Sequence, residues 1–207
     1  KSTRSVTLEM MIKHSISVRQ GIKNSLMVVD MPYNTYNKSS QALKNCKKVM
    51  KLTKCDAVKI EGGLKKIKII KYLIKNKVPV MGHLGILPQS TKGKFKSKGR
   101  STNERKELIR DCKLLENAGV FSIVLECVER KLAKQITNLI KIPTIGIGSS
   151  NNCDGQILVL DDILGLTDSK MKFVKKYVDV KKLIAQGVKK FKKEVKLKKY
   201  PSRKHSY

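Results

Sequence analysis

Short apolar runs alternate along most of the chain with stretches whose apolar residues recur at helical spacing. The runs are mostly continuous rather than alternating, which is typical of strands covered on both faces. Strands are therefore predicted at 25–29, 57–60, 78–81, 121–125, 144–147 and 157–160. Because helical stretches lie between these runs, the pattern indicates parallel β-α-β units and an α/β fold.

The helical stretches have apolar residues three and four positions apart. They are predicted at 7–18, 42–50, 108–118, 132–140 and 183–195. Ser101 and Glu104 predict a capping box before the third helix, and Gly119 predicts its end. The last helix is basic, and its apolar face could pack on its own domain, on a second subunit or on a membrane surface.

A basic loop at 88–103 separates the third predicted strand from the next helix. Loops of this length inside a compact α/β domain are usually lids over a site, or disordered. The basic residues of this loop are Lys92, Lys94, Lys96, Lys98 and Arg100. Since no repeat or low-complexity linker divides the chain, residues 1–207 are predicted to form a single domain with a basic helix and tail at about 181–207.

Composition narrows the class of protein. Hydrophobic residues make up 40% of the 207 positions, aromatic residues only 5%, and Trp is absent, so a substantial aliphatic core is expected. No apolar run approaches the roughly 18 residues that span a bilayer, so no membrane partner is expected. Five scattered cysteines, without a CxxC pair, favour a reducing compartment, and the cytoplasm is predicted.

Charge is the most unusual feature of the composition. Lys and Arg number 46 against 16 Asp and Glu, a formal net charge of +30. Such an excess is typical of nucleic-acid-binding proteins, and that function is kept as an alternative. The basic residues are mostly Lys and are spread over the whole chain, whereas base and phosphate recognition favours Arg. We therefore interpret the excess as a solvated surface and expect no nucleic-acid partner.

Four ionisable residues stand at the carboxyl ends of predicted strands: Asp30, Glu61, His83 and Glu126. The carboxyl edge of a parallel sheet is where α/β proteins build their sites. Each residue also has a purely structural interpretation. Asp30 could open a turn, Glu61 could pair with Lys59, Glu126 could cap the next helix, and His83 could be a hydrogen-bonded structural residue. Their convergence on one edge favours a site.

The residue types at this edge suggest a specific chemistry. Two converging carboxylates would repel each other, and a hard divalent ion such as Mg²⁺ would relieve the repulsion. A nearby lysine would pair with a substrate carboxylate, and Glu126 would move a proton. This set suits enolisation of a 2-oxo acid, with the metal holding the developing enolate oxygen.

Six stretches of sequence then follow the order of one known enzyme family. They are Val29-Asp30-Met31-Pro32-Tyr33 with Tyr36, Val58-Lys59-Ile60-Glu61-Gly62-Gly63, Met81-Gly82-His83-Leu84-Gly85 with Pro88-Gln89-Ser90, Val124-Leu125-Glu126-Cys127-Val128, Pro143-Thr144-Ile145-Gly146-Ile147-Gly148, and Asp154-Gly155-Gln156. With the tail His205-Ser206-Tyr207, they resemble ketopantoate hydroxymethyltransferase. The resemblance covers essentially the whole chain.

The resemblance implies a (β/α)8 barrel that transfers a hydroxymethyl group from 5,10-methylenetetrahydrofolate to 3-methyl-2-oxobutanoate, through a Mg²⁺-stabilised enolate, in pantothenate biosynthesis. By position, Asp30 and Glu61 would bind one Mg²⁺ per subunit. Asp30, Lys59 and His83 would contact the substrate, and Glu126 would be the catalytic acid/base. The basic loop would lie near the folate. The family also implies a large homo-oligomer.

The chain departs from the family at its front. The family's first strands, with a Gly-Asp-Ser motif, have no counterpart here, and six strand-like runs fall short of the eight of a barrel. We expect an N-terminally incomplete barrel that lacks its first two strands and is inactive on its own. Another metal-dependent barrel enzyme, acting on 2-oxo acids or phosphoenolpyruvate-like substrates, is the main alternative.

Overall fold

The computed structural model describes residues 3–90 and 96–207. The chain divides into two compact units, Lys1–Ile157 and Leu158–Tyr207. In the first unit the strands are β1 (Val28–Asp30), β2 (Ala57–Glu61), β3 (Val80–Gly85), β4 (Ser122–Glu126), β5 (Thr144–Ile147) and β6 (Gly155–Gln156). Its α-helices are α1 (Leu8–Gly21), α2 (Ser39–Thr53), α3 (Ile67–Lys75), α4 (Thr102–Ala118) and α5 (Arg130–Leu139), with short 3-10 helices at Thr3–Ser5 and Leu64–Lys66.

Within the described residues, the six strands form one parallel sheet in the order β1-β2-β3-β4-β5-β6. Helices α2 to α5 connect consecutive strands from β1 to β5. This arrangement confirms the predicted α/β fold. Its register sets Asp30 beside Lys59, Glu61 beside His83, and Gly85 beside Glu126.

An aliphatic core holds the sheet and its helices together. Strand side chains such as Val58, Ile60, Ile123 and Leu125 are fully buried, as the continuous apolar runs predict. From the helices, fully buried side chains include Ala42, Cys46, Val49, Ile70, Leu73, Cys112, Leu115, Leu132, Ala133 and Ile136. Burial on this scale supplies the main stabilising free energy of the unit.

The predicted strand at 157–160 is wrong. The sixth strand is the short β6, at Gly155–Gln156, and Leu160 instead begins a short helix, α6 (Leu160–Ile163). Ile157, Val159 and Leu160 are all more than half exposed, so this apolar run does not belong to a covered strand. Two acidic residues, Asp161 and Asp162, lie in the first turn of α6, where negative charge is favourable. The other five predicted strands are confirmed, β5 with the predicted ends and the remaining four with shifted ends.

The predicted helices are present. Besides the short α6, the described residues contain one α-helix that was not predicted, α3. Ile70, Leu73 and Ile74 have the spacing that would have revealed it. The cap of α4 differs in part from a capping box. The Ser101 hydroxyl accepts a hydrogen bond from the Glu104 amide, but the Glu104 carboxylate accepts from the amides of Gly99 and Arg100. Gly119 ends α4 in the left-handed region, as predicted.

The second unit contains α6 and a long basic helix, α7 (Val180–Lys196). Asp179 caps α7 by accepting a hydrogen bond from the Lys182 amide. The apolar residues on one face of α7 are exposed: Leu183, Ile184, Val188, Phe191 and Val195. Among the described helices, none is both long and apolar enough to cross a lipid bilayer. A single domain over residues 1–207 stays a prediction.

Candidate active site

The ends of β1 and β2 bring Asp30 and Lys59 together. These residues are register partners, and Lys59 Nζ lies 2.9 Å from Asp30 Oδ2. The Lys59 side chain is mostly buried, whereas the Asp30 side chain is 48% exposed. Among the described ion pairs, Lys59 is therefore joined to Asp30 rather than to Glu61. The exposed carboxylate of Asp30 faces solvent at the carboxyl edge of the sheet.

Glu61 ends β2 as a buried carboxyl group. One of its oxygens, Oε2, accepts a hydrogen bond of 3.1 Å from the Gln89 amide. Burial raises the pKa of Glu61 to about 7, and the carboxylates of Asp30 and Glu126 push it in the same direction. The Gln89 amide and the Lys59 ammonium oppose this rise in pKa without cancelling it. The positive charge near Glu61 is thus too small to offset the effect of burial on its pKa.

His83 lies between two glutamates and is 1% exposed. Its Nε2 is 3.1 Å from Glu126 Oε2, and its Nδ1 is 3.8 Å from Glu61 Oε1. Neither ring nitrogen makes a hydrogen bond of good geometry with the described residues. Burial lowers the pKa of His83, which favours the neutral imidazole. A neutral imidazole has one N–H to offer two carboxyl groups, which is compatible with a proton on Glu61.

Glu126 ends β4 at the same edge and is only partly buried. Its backbone is fixed by close packing, since the Glu126 carbonyl accepts from the Ile86 amide at 2.9 Å. A Cβ at Gly85 would lie 2.1 Å from the same carbonyl oxygen. Glu126 does not cap the following helix, because Glu129 accepts from the first amides of α5. The Glu126 carboxylate is therefore left facing His83.

Gln89 and Tyr36 complete the group, and no role was predicted for either from the sequence. The Tyr36 hydroxyl donates to Gln89 Oε1 at 2.6 Å, and Gln89 Nε2 donates to the Met31 carbonyl at 2.9 Å. All three residues are buried. Burial raises the pKa of Tyr36, so its hydroxyl stays a donor. Both residues lie in loops without periodic pattern, and the only sequence signal is their place in the family stretches quoted above.

The carboxylates of Asp30 and Glu61 fit a hard divalent cation that takes only a few of its ligands from the protein. Among the described residues, no three His, Cys, Asp or Glu side chains are grouped so as to hold a metal ion. The carboxylate of Asp30 nevertheless helps to raise the pKa of Glu61, and both residues offer oxygen ligands. Mg²⁺ is commonly held by one or two carboxylates and completes its octahedron with water and substrate. The raised pKa of Glu61 is the feature that a cation would relieve.

The described end of the basic loop is anchored beside Glu126. The Lys98 amide donates to the Cys127 carbonyl at 2.9 Å, and the Glu129 amide donates to the Lys98 carbonyl at 2.8 Å. Gly99 lies against Leu132, where an added Cβ would come within 2.3 Å of that side chain. Residues 91–95, with Lys92, Gly93 and Lys94, lie outside the described residues, so the predicted lid is described only from Lys96 onward.

Comparison with known proteins identifies close relatives. A family model described as ketopantoate hydroxymethyltransferase matches residues 1–203. The 3-methyl-2-oxobutanoate hydroxymethyltransferase of Pelagibacter ubique is 62% identical over 206 residues, which cover 100% of this chain and 80% of that protein. The protein of the same name from Clostridium botulinum, strain Alaska E43, is 47% identical over 211 residues, or 100% of this chain and 77% of that protein.

A solved structure shares the fold at much lower sequence identity. It is 2,3-dimethylmalate lyase, a member of the PEP mutase/isocitrate lyase superfamily. The TM-score is 0.55 at 13% identity, over 93% of this chain and 68% of that chain. This likeness concerns the fold alone.

Proposed function

We propose that this chain, which belongs to the ketopantoate hydroxymethyltransferase family and is therefore a hydroxymethyltransferase, transfers a hydroxymethyl group from 5,10-methylenetetrahydrofolate to 3-methyl-2-oxobutanoate. The product is ketopantoate, an intermediate of pantothenate biosynthesis. The names of the relatives support the oxo acid and the product. The sequential parallel sheet supports, as part of the proposal, a (β/α)8 barrel.

The single observation that carries the proposal is the convergence of Asp30, Lys59, Glu61, His83 and Glu126 on one sheet edge. Their chemistry divides into binding and proton transfer. Lys59 offers an ammonium group that can pair with the carboxylate of the oxo acid in place of Asp30. We assign to Glu126 the transfer of the C3 proton. His83 Nε2 lies 3.1 Å from its carboxylate.

Mg²⁺ is proposed as the cofactor, held by Asp30 and Glu61. When bound, it supplies positive charge beside the substrate oxygen on which negative charge develops. This chain's own contribution is to hold both carboxyl groups at the same edge of the sheet, at the ends of β1 and β2. Asp30 is kept close by the 2.9 Å contact with Lys59, and Glu61 by the amide of Gln89.

The remaining parts of the proposal concern partners and location. The partners are the two small-molecule substrates and further copies of the chain, since the exposed apolar face of α7 could be covered in a homo-oligomer. No nucleic acid and no membrane belong to the proposal. The cytoplasm is supported by the five cysteines, all of which are free.

Proton exchange tests the proposed chemistry directly. In deuterated water the protein, produced together with the first two strands of the family, should exchange the C3 proton of 3-methyl-2-oxobutanoate when Mg²⁺ is present and should stop in EDTA. With 5,10-methylenetetrahydrofolate added, ketopantoate should form. Glu61→Ala should weaken Mg²⁺ binding as well as turnover, because it removes a ligand. Equal exchange with and without metal would overturn the role of Mg²⁺, and exchange without any ketopantoate would favour another enzyme of 2-oxo acids.

A further inference from the structure

Gln89 links three parts of the site although it belongs to none of the strands. It lies in the loop after β3, is 8% exposed, and makes three hydrogen bonds to residues far away in sequence. Its side chain accepts a hydrogen bond from the Tyr36 hydroxyl and donates one to the Met31 carbonyl. Its backbone amide donates a hydrogen bond to the Glu61 carboxyl group. The loop after β3 is thereby tied to the ends of both β1 and β2.

The chemistry of the partners fixes the orientation of the Gln89 amide group. The Met31 carbonyl can only accept a hydrogen bond, so the side-chain nitrogen Nε2 must face it. The oxygen Oε1 then faces Tyr36, whose hydroxyl donates to it at 2.6 Å. Reversing the amide would place two acceptors against each other at Met31. The side chain therefore has one favourable position rather than two.

That position decides where the backbone amide of residue 89 points. The amide donates to Glu61 Oε2 at 3.1 Å, while the other oxygen, Oε1, faces His83. Glu61 has no further hydrogen bond among the described contacts that could select its rotamer. Because buried carboxylates depend on such donors for their orientation, movement of residue 89 would release Glu61.

We propose that Gln89 is a positioning residue for the metal site: its side chain, held by Tyr36 and Met31, fixes the backbone amide that orients Glu61. This inference rests on the proposed function, in which Glu61 binds Mg²⁺. Gln89 itself touches neither metal nor substrate in this account. Tyr36 acts through Gln89 and also through its own contact with the backbone of Glu61.

Calorimetric titration of Mg²⁺ into the purified protein tests this role. Gln89→Met keeps the length of the side chain but removes its donor and acceptor, and it should raise the Kd for Mg²⁺ about 10-fold, the lower end of the effect of outer ligands. Tyr36→Phe removes only the hydroxyl and should raise Kd less, in the same direction. The two changes share the contact between Tyr36 and Gln89, so in the double variant the effects on Kd should add up to less than their sum. Any loss beyond that of Gln89→Met measures the direct contact of Tyr36 with the Glu61 backbone.

Ser122→Ala is the matched control. The Ser122 hydroxyl is also buried and donates to the Pro143 carbonyl at 2.9 Å, but it lies at the opposite end of a strand, at the start of β4. Its loss should lower the melting temperature and leave the Kd for Mg²⁺ unchanged. If Gln89→Met proves too unstable to purify, Tyr36→Phe carries the test, since it leaves a well-packed aromatic ring.

Turnover at saturating Mg²⁺ separates positioning from general damage. A positioning role predicts that high Mg²⁺ restores most of the turnover of Gln89→Met. Unchanged Kd in both variants, with a wild-type protein that binds Mg²⁺, would overturn the inference and leave the proposed function intact. A wild-type protein that binds no Mg²⁺ would overturn the metal site and this inference with it.

Discussion

His83 Nε2 lies 3.1 Å from Glu126 Oε2, across the neighbouring strands β3 and β4. The two residues differ in exposure, because the imidazole is fully buried whereas the glutamate is partly open. The imidazole therefore lies on the buried side of the Glu126 carboxylate, and the other side of the carboxylate is accessible to a bound molecule. For this reason the proposed mechanism assigns proton exchange with a bound molecule to Glu126 rather than to His83.

Glu126→Gln should reduce ketopantoate formation by about 10² to 10⁴, the usual effect of losing an acid/base group. Glutamine keeps the shape and can still contact His83, but it cannot exchange a proton at neutral pH. Binding of 3-methyl-2-oxobutanoate, measured by calorimetry, should change far less than kcat.

Glu129→Gln is the control for Glu126→Gln. Glu129 caps α5 and pairs with Arg105 at 3.1 Å, so its change should cost about 1 kcal/mol of stability at most and leave kcat unchanged. Near wild-type turnover in Glu126→Gln would show that Glu126 has no role in proton transfer.

Lys59→Met should raise the KM for 3-methyl-2-oxobutanoate about 10-fold or more, because a charge-assisted contact to the substrate carboxylate is lost. The mostly buried Lys59 pairs with Asp30 at 2.9 Å, so some stability is lost as well. Lys48→Met removes a solvent-exposed pair with Glu9 and should leave the KM unchanged. Equal KM values in wild type and Lys59→Met would place the substrate carboxylate elsewhere.

The raised pKa of Glu61 predicts a pH dependence of stability in metal-free protein. A carboxyl group with a folded pKa of about 7 binds more protons in the folded state than in the unfolded state, whose value is near 4.5. The stabilisation that Glu61 contributes to the folded state is therefore fully present below pH 4.5 and is lost as the pH rises to about 7. The free energy of unfolding of wild type relative to Glu61→Gln should fall by about 3 kcal/mol over this range in EDTA.

The free energy of unfolding also contains a contribution from His83, whose pH dependence has the opposite sign. Taking the difference between wild type and Glu61→Gln removes most of this contribution. The lowered pKa of His83 stabilises the protein at high pH, and this contribution is lost as the pH falls below its unfolded value. Both proteins carry His83, so its effect largely cancels in the difference. Urea titrations from pH 4.5 to 7.5 measure it. A difference that does not change with pH would mean that Glu61 is already ionised at low pH.

The sequence predicts which residues lie at the carboxyl edge of the sheet, but it does not predict the contacts between their side chains. Asp30, Glu61, His83 and Glu126 were found because a strand end is visible in the apolar pattern. The sequence does not show whether Lys59 pairs with Asp30 or with Glu61. Both carboxylates are within reach of its side chain, and the pairing depends on the strand register. Gln89 could not be found from periodicity at all, because loop residues follow no repeat.

The error at 157–160 has a related cause. An apolar run indicates that its side chains favour burial, but it does not show whether another part of the same domain covers them. Ile157, Val159 and Leu160 are exposed within the described structure, and the sheet ends at the two residues before them. Composition alone cannot distinguish a covered strand from an apolar segment of this kind.

Gly85→Ala should damage both stability and turnover, because it acts on the backbone of Glu126. Gly85 has a φ of +98°, and a Cβ there would lie 2.1 Å from the Glu126 carbonyl oxygen. Relief requires β3 and β4 to separate at the carboxyl edge, at a cost of about 3 kcal/mol for strain and lost packing. Thermal unfolding measures the first effect, and ketopantoate formation by the remaining folded protein measures the second.

Gly21→Ala is the matched change at an open position. Gly21 ends α1 in the same unit, and a Cβ there meets nothing within 4 Å. Alanine favours helix by up to about 1 kcal/mol, so this variant should be as stable as wild type or slightly more stable, with full turnover. If Gly85→Ala unfolds like Gly21→Ala and keeps its kcat, the close approach of β3 to Glu126 does not hold the carboxylate in place.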